Sequence, residues 1–483
     1  MKIKLLILLL TNISLLGFCQ KTKQTKLIDN YLVDAMNTFE IPGLAVGIVK
    51  NDKIVFEKYY GRENLESNKE VDSNSLFRIY STTKLIASVA VFQLIEDGKL
   101  SLNDKISNYV KGLPEKWRDV RIENLLSHSS GIPDFARYED ILADSSNDQV
   151  FERLSKEKME FETGNQFSYN QTNFMLLGMI IEKISGQTFD DYVMKNQFYD
   201  AEKKVIFSSN SLAQIPNRVQ KYVYNDSLKH YLKLQHIGGT RSHSANGLAI
   251  SLPDLLRWSI QLNKNQLLKD DTKKLMWKPF NYGNKHDSFT HGWEITKVGG
   301  IMSYGFSGGN VSVYSTFPDK NLSVIFMSNG YRYNSYPPLY LIANHIAGLV
   351  DKHLANPYLE SEESVINDII KKPNIRKKIY GYRIENDKVI FTYNIPGNLN
   401  TEAILKMSVA GSFNNWNSEN KVYQMISRGG NTFELVLPAS QFERGKTYEF
   451  RFVMNKNGWL TTPYSAKNTS RNTSNNNLTL VVN

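Results

Sequence analysis

Ser81-Thr82-Thr83-Lys84 sets a hydroxyl and an amine three residues apart, where a short β-like run (residues 76–80) gives way to a long apolar helix. Residues three apart share a helix face, so the Lys84 amine can reach the Ser81 oxygen. A helix start adds unpaired backbone N–H groups and a positive dipole end. A serine hydroxyl is too weak a nucleophile to attack a carbonyl without such help. The spacing alone decides little, because Ser155 to Lys158 and Ser418 to Lys421 repeat it. Ser155 lies in a charged stretch that reads as a solvated helix face, and Ser418 follows a turn at Asn414-Asn415. Only Ser81 opens a hydrophobic helix, with Leu85, Ile86, Val89, Val91, Phe92, Leu94 and Ile95 apolar on nearly every side before Gly98. Such a helix must be buried, which fixes its first turn beneath a cleft.

Two further runs give that turn a setting. The stretch Ile122-Glu123-Asn124-Leu125-Leu126-Ser127-His128-Ser129-Ser130-Gly131-Ile132-Pro133-Asp134 is followed by Phe167-Ser168-Tyr169-Asn170-Gln171-Thr172-Asn173-Phe174. Together with the Ser81 motif they resemble the serine β-lactamase and penicillin-binding-protein superfamily, in particular its class C β-lactamase, D-aminopeptidase and family VIII esterase branches. The resemblance implies that Ser81 is acylated, that Lys84 helps deprotonate it, and that Tyr169 shuttles a proton to the leaving group and later activates water. A neighbouring ammonium is the physical means of making such a tyrosine acidic enough.

Two positions depart from the pattern. Where a Tyr-x-Asn motif carries asparagine this chain has Gln171, which keeps the amide and extends its reach by one methylene. The motif with a Lys or His before Ser/Thr and Gly is matched by Phe306-Ser307-Gly308-Gly309, and Phe306 can neither donate a hydrogen bond nor carry charge. Its loss argues against β-lactam or D-Ala-D-Ala substrates, whereas an ester needs no carboxylate anchor. The resemblance assigns the oxyanion hole to the backbone N–H groups of Ser81 and Gly309. Gly308-Gly309 can also be read as a plain bulge or a close backbone approach.

Periodicity supplies the elements that position these groups. Residues 27–39 read as helix, 43–49 and 53–60 as a hairpin around Asn51-Asp52, and 81–268 as mostly helix and loop. Strands return over 291–328 and a closing helix over 338–349. The expected fold is α+β: terminal segments forming one antiparallel sheet around a helical middle, over residues 26–355. The stretch with Gly247-Leu248, Asp254 and Trp258 is expected to be structural.

A charged, helical linker is expected over 356–378, and an all-β module over 379–483, rich in Asn and aromatic residues. The run Leu405 to Asn417, with Tyr448-Glu449-Phe450-Arg451-Phe452-Val453 and Gly458-Trp459, resembles the glycogen-binding module of AMP-activated kinase β subunits and its carbohydrate-binding family 48 relatives. An Ig-like sandwich is implied, with Tyr448, Phe450 and Phe452 facing inward and Arg451 outward. Trp416, Trp459, Arg451 and Asn477 (or Asn476) match sugar-contacting positions, since flat aromatic rings stack on the C–H faces of glucose. An α-glucan is the implied partner, and a sandwich that only braces the hydrolase is the competing reading.

Composition bounds the rest. The chain has 483 residues and 41% hydrophobic content, enough for two or three domains with full cores. Lys2 and Lys4 precede an apolar stretch over 5–18, which reads as a secretory signal cleaved before Gln20 rather than a membrane span. Phe18 is a poor neighbour for lipid attachment at Cys19. Cleavage would remove the only cysteine and lower the net charge from +10 to +8, because Lys2 and Lys4 leave and no acid does. A cysteine-free chain suits an oxidising periplasmic or secreted setting. The positive charge is diffuse, so nucleic-acid binding is not expected. The eight histidines show no His-Glu-x-x-His, and neither metal nor cofactor is expected. His128 reads as a satisfied histidine beneath a Ser-Gly turn. The function expected is therefore an exported serine hydrolase cutting an ester or amide in envelope or polysaccharide material. The alternative is a non-catalytic glycan-binding or scaffold protein on a decayed hydrolase fold.

Overall fold

The computed structural model describes residues 24–201, 205–225, 228–283, 289–298, 300–333, 337, 339–354, 380–394, 406–429, 432–454, 458–460, 468, 470 and 477–482. The expected signal segment and the linker lie outside these residues. The chain divides into two compact units, Met1–Leu354 and Ala355–Asn483.

The first unit is built on a seven-stranded antiparallel sheet. Its spatial order is Lys69–Glu70, Lys53–Asn64, Gly43–Lys50, Leu322–Ser328, Ser312–Phe317, Ile301–Gly308 and Glu294–Val298. Successive side chains of a strand face opposite sides, and here both sides are buried. Leu44, Val46, Ile48, Val324 and Phe326 pack with the helix over 24–39 and the helix Leu339–Val350. Ala45, Val49, Ile325 and Met327 pack into the larger core of the helical region. That double burial explains why the central strands read as continuous apolar runs.

At the heart of the helical region lies the helix Thr83–Glu96, in which every residue from Thr83 to Phe92, and Leu94, is buried. It is apolar all round because it is surrounded all round. Gly98, at φ +69°, ends it. The middle of this unit holds more strand than periodicity suggests. Val205–Phe207 and Phe77–Arg78 flank Leu248–Ile250, and Tyr222–Asn225 pairs with His230–Lys233 and Gly330–Arg332. These strands are two to four residues long, too short to establish a period of two.

Glu294, on the edge strand, accepts a hydrogen bond from Tyr340 of the closing helix. Burial pushes its carboxyl up to about 7, against the pull of that hydrogen bond. A carboxyl raised in the folded state binds more protons folded than unfolded between the two pKa values, so stability falls as pH rises through that window. The expected cost at pH 8 is about 3 kcal/mol. Glu294→Gln should therefore raise the Tm at pH 8 and leave it nearly unchanged at pH 5. Thermal scans at the two pH values check this, and an equal shift at both would refute it.

The second unit is all-β. One sheet runs Tyr382–Glu385, Lys388–Asn394, Thr432–Pro438, Ile426–Gly429, and the other joins Met407–Gly411, Gly458–Trp459 and Leu478–Val481 to the strand Thr447–Met454. One apolar cluster includes Val389, Phe391, Met407, Val409, Leu435, Phe450, Phe452 and Leu480 from both sheets. Tyr448, Phe450 and Phe452 face inward as the alternation requires. Val453, on the opposite face, is buried as well, and Arg451 is half-buried with an Nε that has no partner.

Candidate active site

Ser81 sits on a short 3-10 turn, Tyr80–Thr82, that runs directly into the buried helix. Tyr80 before it holds φ +47°, a left-handed conformation that a bulky residue adopts only when its surroundings enforce it. The enforcement is visible. Ser312 Oγ donates to Ile79 O (2.7 Å), Thr82 Oγ1 reaches Ser312 Oγ (3.0 Å) and Phe306 O (3.3 Å), and Ile79 N–H donates to Leu248 O (3.0 Å). The turn carrying Ser81 is thus clamped to three strands.

The strand Ile301–Gly308 approaches that turn closely. A Cβ on Gly308 would lie 2.1 Å from Ile79 O and 2.9 Å from Ser81 N, so only glycine lets the strand come so near. Gly309 follows at φ +56°, and a Cβ there would strike the Tyr80 ring at 2.7 Å. The pair thus makes a close backbone approach to the Ile79–Ser81 turn. Among the described residues, the edge strand Glu294–Val298 pairs only as far as Gly305, while Phe306–Gly308 pair with Ser312–Tyr314 on their other side alone. An extended substrate can pair along that edge.

Tyr169 Oη donates a hydrogen bond to Ser81 Oγ at 2.7 Å. The Lys84 amine, fully buried, donates to Gln171 Oε1 (3.0 Å) and to Ala245 O (2.9 Å), and lies 4.8 Å from the centre of the Tyr169 ring. Among the described residues no hydrogen bond joins Lys84 to Ser81, so the direct reach expected from the spacing is replaced by a shared neighbour, Tyr169. One backbone carbonyl and one amide oxygen satisfy two of the three ammonium donors. Gln171 thus uses its extra methylene to hold Lys84. Ala245 was not foreseen, because a backbone carbonyl leaves no mark on residue type.

The run before Tyr169 acts as its frame. Asn170 caps the helix Gln171–Ser185 by accepting from Asn173 N–H, and its Nδ2 donates to Ile132 O. Thr172 Oγ1 donates to Pro133 O and accepts from Phe135 N–H, and Ser130 Oγ donates to Asn173 Oδ1. His128 is only half satisfied. Its Nδ1 accepts the Asn170 N–H (3.2 Å), while its Nε2 is buried with no partner. Burial, with the Lys84 charge nearby, holds its pKa well below the usual value, so the ring is neutral and carries its proton on Nε2. That ring lies among Phe167, Tyr169, Phe174 and Phe289, with centroids 4.8 to 5.8 Å away.

Phe306 belongs to the same aromatic wall, edge-on to Phe289 (5.9 Å) and 6.2 Å from Tyr169. Only 2% of it is exposed, so the position that could have met a carboxylate with charge offers packing alone. Ser307, half-buried, follows on the same strand. Trp258 is fully buried and donates to Gln197 Oε1, a structural role as expected.

In the second unit, Trp416 holds φ +57° and is half-buried. Asn477 is buried, and its amide donates to Glu449 Oε2 (2.8 Å). The Trp459 side chain and Asn476 lie outside the described residues. Among the described residues no helix is long and apolar enough to cross a membrane.

The chain resembles known proteins in sequence and fold. Residues 28–345 match the family model described as Beta-lactamase. Protein flp of Staphylococcus aureus (strain MW2) is 28% identical over 172 residues, 34% of each chain, so the match spans about a third of that relative's length. Penicillin-binding protein 4* of Bacillus subtilis (strain 168) is 26% identical over 302 residues, 57% of this chain and 65% of that one. Among solved structures, an octameric penicillin-binding protein homologue from Pyrococcus abyssi superposes with a TM-score of 0.60 at 20% identity, covering 88% of this chain and 97% of its own. EstCE1, a hydrolase with promiscuous acyltransferase activity, gives a TM-score of 0.54 at 16% identity, covering 65% and 95%. At those identities the structural likeness shows the fold, and the family match covers more than half of the chain. The chain belongs to the beta-lactamase family.

Proposed function

We propose that this protein is an exported serine hydrolase that forms an acyl-enzyme on Ser81 and cleaves an ester or amide in envelope or polysaccharide material. The observation that carries the reading is the 2.7 Å hydrogen bond between Tyr169 and Ser81, with the Lys84 ammonium against the Tyr169 ring. In this reading Tyr169, as a phenolate beside the Lys84 ammonium, takes the serine proton as Oγ attacks and, as the neutral phenol this forms, returns it to the leaving group. The N–H groups of Ser81 and Gly309 receive the developing oxyanion. Phe306 favours an ester, since it gives a substrate carboxylate nothing to pair with at that position. EstCE1, named a hydrolase, supports the same direction.

The test is a fluorophosphonate or penicillin probe followed by peptide mapping, alongside a panel of short-acyl p-nitrophenyl esters, D-amino-acid amides and a chromogenic β-lactam. We expect the adduct on the peptide containing Ser81 and faster turnover of esters than of the β-lactam. A folded sample with neither label nor turnover would instead favour the scaffold reading.

For the second unit, a domain over 379–483 of Ig-like, family 48 type that binds α-glucan remains the proposal. The half-burial of Trp416 supports it. Trp416→Ala should migrate faster than the unmodified protein in a native gel containing soluble glycogen. Equal retardation of neither protein, relative to a glycogen-free gel, would reduce the module to a brace.

A further inference from the structure

Beside the nucleophile turn lies a second feature that the acylation chemistry does not use. A cleft between the strand Phe77–Arg78 and the segment 218–221 is lined by Tyr80, Arg78, Arg218, Lys221, Ser211 and Asn329, among others. Three cations therefore meet in one place. Among the described residues none of the three has a carboxylate within ion-pair distance.

Each cation is held by neutral oxygens instead. Arg78 donates to Asn246 O (3.1 Å), Asn246 Oδ1 (2.9 Å) and Ser209 O (3.3 Å). Arg218 donates to the carbonyls of Asn210 (2.7 Å), Ser211 and Ala213, and to Ser208 Oγ (3.4 Å). Lys221 Nζ donates to Gly309 O (2.8 Å) and lies over the rings of Tyr80 (4.3 Å) and Tyr331 (5.3 Å), with Arg78 over Tyr80 as well (4.4 Å). These contacts orient the groups and leave their charge uncompensated. Burial lowers the pKa of all three, and the Arg78 charge helps bring Lys221 down to about 8. Clustered like charges in a partly dry site repel one another, and that cost is relieved when an anion enters.

Position identifies the anion's carrier. Lys221 grips the carbonyl of Gly309, one peptide from the strand that crowds Ser81 N, so the cleft begins beside the reacting centre. Tyr80, the residue before Ser81, lines the cleft, whereas Ser81 itself, Gln171, Phe306 and Tyr169, which would deliver the leaving-group proton, do not. A substrate group reaching past Tyr80 toward Lys221 would be one other than the leaving group. We propose that the cleft flanked by Arg78, Arg218 and Lys221 binds a carboxylate carried on the acyl portion of the substrate. This rests on the serine-hydrolase reading and narrows it to esters or amides of dicarboxylic or otherwise acidic acyl groups.

The experiment compares kcat/KM for mono-p-nitrophenyl glutarate and p-nitrophenyl butyrate, which share a leaving group and differ in acyl charge. A hydrogen bond to a charged group is worth about 10- to 100-fold in affinity, so the unmodified enzyme should prefer the glutarate ester by about that factor. Lys221→Met and Arg218→Gln should each cut the ratio several-fold, while Lys221→Arg should retain most of it. Using the ratio removes any loss of general activity, and two separated positions guard against one variant misfolding. If the preference depends on a free anion acting elsewhere, free glutarate will raise butyrate turnover, which overturns the proposal. Equal turnover of both esters, or a preference unchanged in both charge-removing variants, overturns it too. Absence of turnover of either ester, with no label on Ser81, is the separate outcome that sinks the hydrolase reading itself.

Discussion

Ser81→Ala is expected to lower kcat/KM for short-acyl p-nitrophenyl esters by about 10⁴-fold or more, and to abolish the fluorophosphonate adduct, without a measurable loss of Tm. The size follows from the nature of the step: without the nucleophile no acyl-enzyme forms, and only positioning and oxyanion stabilisation remain. The unchanged stability follows from location. Ser81 is only half-buried, and its side chain's recorded partner is the Tyr169 hydroxyl, which is itself half-buried and can turn to water. The clamps on the turn run through Ile79, Thr82 and Ser312 and survive the change. A residual rate within tenfold of the unmodified protein, measured on folded material, would mean that the esterase activity arises elsewhere. Retained labelling would mean the same for the probe.

The setting of Ser81 was legible because its signal is local. A helix apolar on every side behind the Ser81 turn already implies a buried helix that holds that turn in place. The central strands were legible for a related reason, since double burial makes runs such as Leu322–Ser328 apolar without interruption. What escaped is what the chain brings together from far away. Lys84 was expected to serve Ser81 directly, and its hydrogen bonds instead go to groups 87 and 161 residues along the chain. One of these is a backbone carbonyl, which every residue owns and no sequence pattern marks. The left-handed Tyr80 escaped for the opposite reason, because bulky residues avoid that conformation unless tertiary contacts impose it. Lys221 looked like one more surface lysine in a diffusely basic chain until the fold set it on Gly309. His128 was read as satisfied, and one of its ring nitrogens is not, since its polar neighbours serve Nδ1 while aromatic rings crowd the imidazole.

Tyr169→Phe separates the proton path from the positive charge beside it. The substitution keeps the ring against Lys84, whose bonds to Gln171 and Ala245 do not involve the phenol, and removes only the hydroxyl that contacts Ser81. If Tyr169 moves the proton, kcat should fall by about 10²- to 10⁴-fold, the usual worth of a positioned acid or base, with little change in KM. Were Lys84 the direct base, losing the phenol would cost only its hydrogen bond to Ser81, about tenfold or less. The geometry favours the first outcome, because Ser81 Oγ is bonded to the phenol while the amine is bonded elsewhere. Lys84→Met completes the comparison. It should also lower kcat, since the ammonium beside the Tyr169 ring would be gone. A Tyr169→Phe enzyme retaining a tenth or more of its activity would hand the base role to Lys84, whose neutral amine can keep its bonds to Gln171 and Ala245 and still offer a lone pair.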